Sequence, residues 1–178
     1  ILMRSFRIFK TNSKNENHLH RSQFCGTCQR NECSPTKEPH LFFKTRHCNT
    51  PNIQFLSSQV LNNIQYECEL VIKINKVGKN IQEKFAHTYY SEFTLGIDFT
   101  ARDLQSECKK SGLPWEIAKG FDSSAPLSDR WLKIEDYKNE IQFSLTKNKK
   151  TVQEGNTSQM IFSFDQLICY LSKYITLK

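Results

Sequence analysis

The clearest alternation of apolar and polar positions runs from Tyr66 to Ile74. Cys68, Leu70, Ile72 and Ile74 fall on one side, and Glu67, Glu69, Val71 and Lys73 on the other. A period of two predicts a strand. Phe93 to Phe99 reads as a second apolar strand, broken by Gly96, and Leu41-Phe42-Phe43 as a third, short one. A helix follows the second. Thr100 is placed to cap it, Asp103 gives a short capping box, Leu104 and Cys108 form its buried side, and Gly112 and Pro114 stop it. Gln142 to Leu145 and Thr151 to Gln153 read as a hairpin across Lys147-Asn148-Lys149-Lys150. A last helix starts at Ser163, with Gln166 completing a capping box and Phe164, Leu167, Ile168 and Leu171 as its apolar face. The chain stops at Ile175-Thr176-Leu177-Lys178, which reads as the start of a strand. Several strands and two clear helices predict a β-rich α+β domain with a sheet incomplete at the C-terminus.

Composition sharpens this in two places. The chain has 178 residues and a net charge of +7. Residues 1–50 hold 9 Lys and Arg against 3 Asp and Glu, so the basic character belongs to the N-terminus and not to a whole binding surface. Residues 1–37 are rich in Asn, Ser, Thr and basic residues, with one brief alternation at Phe6 and Ile8, and read as a weakly structured segment before a domain over 38–178. The first residue is Ile1 rather than Met, which points to a fragment or an incomplete reading frame. No apolar run approaches the ~20 residues of a membrane span, and no stretch has signal-peptide character. Seven cysteines, an odd count, predict a reducing, cytoplasmic type of compartment.

Four groups of residues bear on chemistry. Glu67 and Glu69 share one face of a strand, about 6.5–7 Å apart along the chain. They form either a solvent-facing edge of charged alternation or half of a cation site. Asp98 ends a strand just before a helix, where loops line crevices. Arg102 and Gln105, at i and i+3, share a face of that helix. Alone, this group also reads as an ordinary surface helix. Three carboxylates and no His favour Mg²⁺ or Mn²⁺, with Ca²⁺ a third candidate, over Zn²⁺. Lys119 follows an apolar stretch: a partly buried lysine there has the charge to steady an enolate, whereas on its own it reads as a surface lysine. Finally, Cys25, Cys28 and Cys33, with His40, His47 and Cys48, offer zinc ligands beside basic residues, or a coincidence in a Cys-rich stretch.

Read as one run, Gly96-Ile97-Asp98-Phe99-Thr100-Ala101-Arg102-Asp103-Leu104-Gln105, Lys109-Lys110-Ser111-Gly112-Leu113-Pro114-Trp115 and Ala118-Lys119-Gly120-Phe121-Asp122 resemble the fumarylacetoacetate hydrolase family. The resemblance is to its small acylpyruvate hydrolase and 2-hydroxyhepta-2,4-diene-1,7-dioate isomerase-like branch. Tyr66-Glu67-Cys68-Glu69-Leu70 matches the family's His-Tyr-Glu-x-Glu-Leu motif, with Gln65 for the His. Gln153-Glu154-Gly155-Asn156-Thr157-Ser158 and Met160-Ile161-Phe162-Ser163 match a further stretch, and Glu38-Pro39 and Phe42-Phe43-Lys44 match more loosely. The resemblance implies a mixed β-roll, usually a homodimer. It implies Mg²⁺ or Mn²⁺ on Glu67, Glu69 and Asp98, and a small oxo acid contacted by Arg102, Gln105 and Lys119, with Lys119 steadying the enolate. Neither a membrane nor a nucleic acid is an expected partner. The implied activity is C–C bond hydrolysis, decarboxylation or tautomerisation of short β-diketo or 2-oxo acids such as acylpyruvates or oxaloacetate.

Two departures qualify that expectation. The family's lid His and Glu fall near Thr27 and Arg30, neither a general base at neutral pH, so enolisation and decarboxylation are expected to survive better than hydrolysis. The family also continues past Lys178 with a further strand and a Thr-Gly-Thr-Pro-x-Gly-Val-Gly loop that this chain lacks. The competing expectations are an inactive fragment of the family, and a zinc-stabilised basic N-terminal module on a relic domain.

Overall fold

A computed structural model describes residues 62–137 and 140–178, together with the backbone of residues 6–10. Strand β1 is Phe6–Lys10, β2 is Ile64–Ile74 and β3 is Tyr90–Ala101, with the short helix α1 at Glu83–Ala86 between β2 and β3. Helices α2 (Arg102–Ser111) and α3 (Glu116–Lys119) follow, then the two-residue strand β4 (Leu132–Lys133). A hairpin of β5 (Gln142–Lys147) and β6 (Lys150–Asn156) precedes the last helix, α4 (Phe164–Tyr174).

The main sheet has the order β1-β2-β3-β4, with β1 parallel to β2 and the other pairs antiparallel. The β2–β3 ribbon divides the molecule. Leu70, Ile72, Ile74 and Phe93 lie on one face and join Ile81, Ala86, Leu167, Ile168 and Leu171 in the apolar core beneath α4. The opposite face carries Glu67, Glu69, Asp98 and Thr100, and most of it is buried as well. Glu69 has no exposed surface, so the reading of Glu67 and Glu69 as a solvent-facing edge is overturned at Glu69.

Three local readings change. Gly96 does not break β3, which runs unbroken from Tyr90 to Ala101. Its role is close approach: residues 124–128 run along the outer edge of β3, with Ser128 N, Ile97 N and Phe99 N donating to Leu95 O, Pro126 O and Ser124 O. A Cβ at position 96 would stand 2.7 Å from Leu127 Cδ2. Thr100 is not the cap of α2. Ala101 holds that position in extended conformation, without a side-chain bond, because β3 continues one residue beyond Thr100. The final Ile175–Lys178 stretch contributes a single antiparallel bridge, Leu177 to Gly78, rather than a strand.

Other expectations hold. Gly112 closes α2 in the left-handed conformation at φ 63°. Asn148 and Lys149 take positive φ in the two-residue hairpin turn. Ser163 and Gln166 form the reciprocal capping box of α4. By contrast, strand β1 departs from the weakly structured reading of residues 1–37: the brief alternation at Phe6 and Ile8 is a strand paired with Leu70 and Ile72. The Leu41–Phe43 strand, the Cys25–Cys48 zinc cluster, and Thr27 and Arg30 lie outside the described residues.

Candidate metal centre

Strand register assembles the site. Glu67 and Glu69 project from the same side of β2, and Asp98 stands directly opposite Glu67 on β3. Opposed residues of an antiparallel pair share a face, about 4.5–5.5 Å apart at Cβ. One oxygen from each of the three carboxylates lies within 4.8 Å of the other two. Two of them, Glu69 and Asp98, are fully buried.

Buried carboxylates this close repel, so compensation is required. Part of it is cationic. Lys119, at the end of α3 and 1% exposed, donates from Nζ to Asp98 Oδ2 at 2.7 Å and to Thr100 Oγ1 at 2.6 Å. Thr100 Oγ1 in turn lies 3.4 Å from Asp98 Oδ1. Helix α3 is only four residues long, and its last carbonyl region is held by Ser124 Oγ, which donates to Lys119 O at 2.8 Å. Lys119 is thus more deeply buried than its sequence suggests.

Arg102, the first residue of α2, supplies the second cation. Its backbone N donates to Asn63 O, which fastens the helix start beside the start of β2. Its guanidinium then spans three acceptors: Nε to Gln65 Oε1 at 2.8 Å, Nη1 to Gln105 Oε1 at 2.8 Å, and Nη2 to Glu67 Oε1 at 3.1 Å. The shared helix face of Arg102 and Gln105 is therefore real and turned toward β2. Among the described residues Arg102 thus pairs with Glu67 and Lys119 with Asp98. The other oxygen of Glu67, Oε2, is buried and has no hydrogen-bond partner. A donor set made only of carboxylate oxygens, with Glu67 Oε2 buried and unbonded, fits a hard divalent cation.

The surroundings agree. Between the two glutamates, Cys68 points to the other face. Burial, then the Glu69 charge, push its thiol up to about 11, and its direction keeps it away from the carboxylates. Farther along α2, Lys109 sits 5.1 Å from the centre of the Trp115 ring. Its pKa is lowered by desolvation and by the positive charges of Arg102 and Lys119. Sequence reasoning missed Gln65 as a partner of Arg102, Thr100 as a partner of Lys119, and Gln153. The side-chain amide of Gln153 bonds both backbone groups of Cys68, with Cys68 N donating to Oε1 at 2.8 Å and Nε2 donating to Cys68 O at 2.9 Å. Gln65 is signalled by its i, i+2 spacing from Glu67 and by its place at the His position of the family motif.

Residues 8–178 match the sequence family described as fumarylacetoacetate (FAA) hydrolase C-terminal. The mitochondrial oxaloacetate tautomerase of Mus musculus is 42% identical over 144 residues, covering 79% of this chain and 65% of that protein. The mitochondrial oxaloacetate decarboxylase of Dictyostelium discoideum is 40% identical over 119 residues, 66% of this chain and 54% of that one. The chain thus spans 65% or less of the length of these two relatives. Among solved structures, fumarylpyruvate hydrolase from Pseudomonas aeruginosa in complex with Mn²⁺ and pyruvate is similar at a TM-score of 0.74 and 25% identity, covering 99% of this chain and 74% of that one.

Proposed function

The chain belongs to the fumarylacetoacetate hydrolase family and has that family's β-rich α+β fold, and from this premise we propose that it is a metal-dependent enzyme of short 2-oxo and β-diketo acids. Within that class the reading favours tautomerisation or decarboxylation of oxaloacetate or an acylpyruvate over C–C hydrolysis, because the first two lean least on a lid base. The observation that carries it is the convergence of half-buried Glu67 with the fully buried Glu69 and Asp98, backed by Lys119 and flanked by Arg102.

Glu67, Glu69 and Asp98 would hold Mg²⁺ or Mn²⁺, which would supply Lewis acidity toward a bound oxo acid. The chain's own residues do the rest. Arg102 and Gln105 lie side by side at the rim beside Glu67 and orient the substrate carboxylate. Lys119 holds Asp98 and Thr100 and keeps a positive charge buried next to the site, where low dielectric strengthens its pull on a developing enolate. A homodimer and a reducing compartment accompany this reading. Cys68, Cys108 and Cys169 are free thiols, and none of the described helices is long and apolar enough to cross a membrane.

The test is calorimetric titration with Mg²⁺ and Mn²⁺, with and without oxalate, a mimic of an enolised 2-oxo acid. Oxalate is expected to bind only when metal is present. Glu69→Gln is expected to lose metal binding and metal-dependent enol–keto conversion of oxaloacetate together. Wild-type turnover in that variant, or a wild-type chain that binds neither metal, refutes the proposal.

A further inference from the structure

Strand β1 pairs with β2 from Leu70 to Ile74. Two residues earlier, the edge of β2 away from β3 is met by a side chain instead of a strand. Gln153 of β6, 8% exposed, presents its amide to Cys68 as a neighbouring peptide would, accepting from its N–H and donating to its carbonyl. The two residues are 85 positions apart and belong to different sheets. The Cys68 peptide groups lie between Glu67 and Glu69, so their orientation sets the direction of both side chains.

We propose that Gln153 is a positioning residue for the metal ligands: its amide fixes the twist of β2 at Cys68 and so the relative placement of the Glu67 and Glu69 carboxylates. This rests on the metal reading above. Geometry makes the leverage large. A local twist of about 10° swings an oxygen ~4 Å from the strand axis by roughly 0.7 Å, against a tolerance of about 0.2 Å in metal–ligand distance. The arm that holds Gln153 is itself anchored. Phe143 packs against the core, and the base of the hairpin is closed by Ile141 N donating to Thr157 Oγ1 at 2.9 Å and Thr157 N to Ile141 O at 3.1 Å. Lys147, near the hairpin tip, lies 4.5 Å from the centre of the Tyr66 ring, a second grip on β2 just before Glu67.

The experiment uses the full chain and Mn²⁺ alone as probe. Gln153→Met keeps length and volume but removes both hydrogen bonds. Calorimetric titration is expected to show Mn²⁺ affinity reduced about 10- to 100-fold, the range for partners that orient metal ligands. Hydrogen exchange of the Cys68 amide is expected to speed up while the amides of Leu70 to Ile74 keep their protection. Glu154→Gln, an exposed neighbour on the same strand, is expected to bind as wild type. Should Gln153→Met not fold, Gln153→Asn, one methylene short of spanning both groups, carries the test with the same expected loss. A folded variant that binds Mn²⁺ within about twofold of wild type, whatever its stability, overturns the inference and leaves the metal reading intact. A wild-type chain that binds no Mn²⁺ overturns the metal reading itself.

Discussion

Lys119→Met is the perturbation that most directly probes the charge balance of the site. The substitution preserves the linear side chain and deletes the ammonium that contacts Asp98 and Thr100. Both members of the ion pair are buried, at 1% and 0% exposure, so water screens little of what is lost. Removing one partner of a buried pair typically costs about 3–5 kcal/mol, because the remaining charge keeps its desolvation penalty without compensation. Here the remaining charge is one of three carboxylates whose oxygens lie within 4.8 Å of each other, which places the expectation at the upper end. For a chain of this size about 1 kcal/mol corresponds to roughly 2–4 °C in Tm, so a fall of roughly 10–20 °C is expected without divalent metal. Urea denaturation of the metal-free protein measures the free energy directly. Two further arms separate charge from packing. Mn²⁺ is expected to stabilise the variant more than the wild type, since it replaces a missing positive charge. The double variant Lys119→Met/Asp98→Leu is expected to recover at least half of the loss, as apolar replacement of a whole buried pair is often close to neutral. A cost below about 1 kcal/mol for the single variant, or a double variant no better than the single, refutes the reasoning.

Three other outcomes follow from the fold. Gly96→Ala is expected to destabilise by about 1–3 kcal/mol in denaturant titration, because its Cβ meets Leu127 Cδ2 at 2.7 Å and Pro126 O at 3.2 Å and the tight apposition has little room to yield. Ser163→Ala is expected to cost about 1 kcal/mol by the same assay, through loss of the reciprocal cap with Gln166. Tyr90, whose hydroxyl donates to Asp165 Oδ1 at 3.0 Å, has its phenol pKa raised from 10.0 by burial, then by the Asp165 charge and that hydrogen bond. Above pH 10 the unfolded chain therefore releases a proton that the folded chain keeps, and stability falls as pH rises. Tyr90→Phe is expected to flatten that alkaline decline, and an unchanged slope would count against it.

What was legible in the sequence was local. Glu67 and Glu69 declared a shared face through i, i+2 spacing, Arg102 and Gln105 through i, i+3, and the Ser163 cap through its partner three residues on. Asp98 was flagged as a strand-end carboxylate, but its placement opposite Glu67 is a matter of register, which alternation alone does not fix. A threonine just before a helical pattern is a good cap by local rules, but the Thr100 hydroxyl is engaged by Lys119 from 19 residues away. Gly96 looks like a strand breaker in the sequence because the chain that crowds it, Pro126 and Leu127, is remote. The same holds for Gln153. The fold class came from element types, and the family's implied ligands came from motif resemblance, not from periodicity.

The two-faced β2–β3 ribbon has a consequence for how the chain reaches its native pairing. A slip of one residue in β2 would turn Glu67 and Glu69 into the apolar interface beneath α4 and carry Cys68 and Leu70 to the side of Lys119. Such a state would strand anions among Ile168, Leu171 and Phe93 and leave a buried ammonium facing a thiol and a leucine. The charged groups therefore act as a proofreader of strand alignment: the residues proposed to do chemistry also reject the nearest wrong version of the fold.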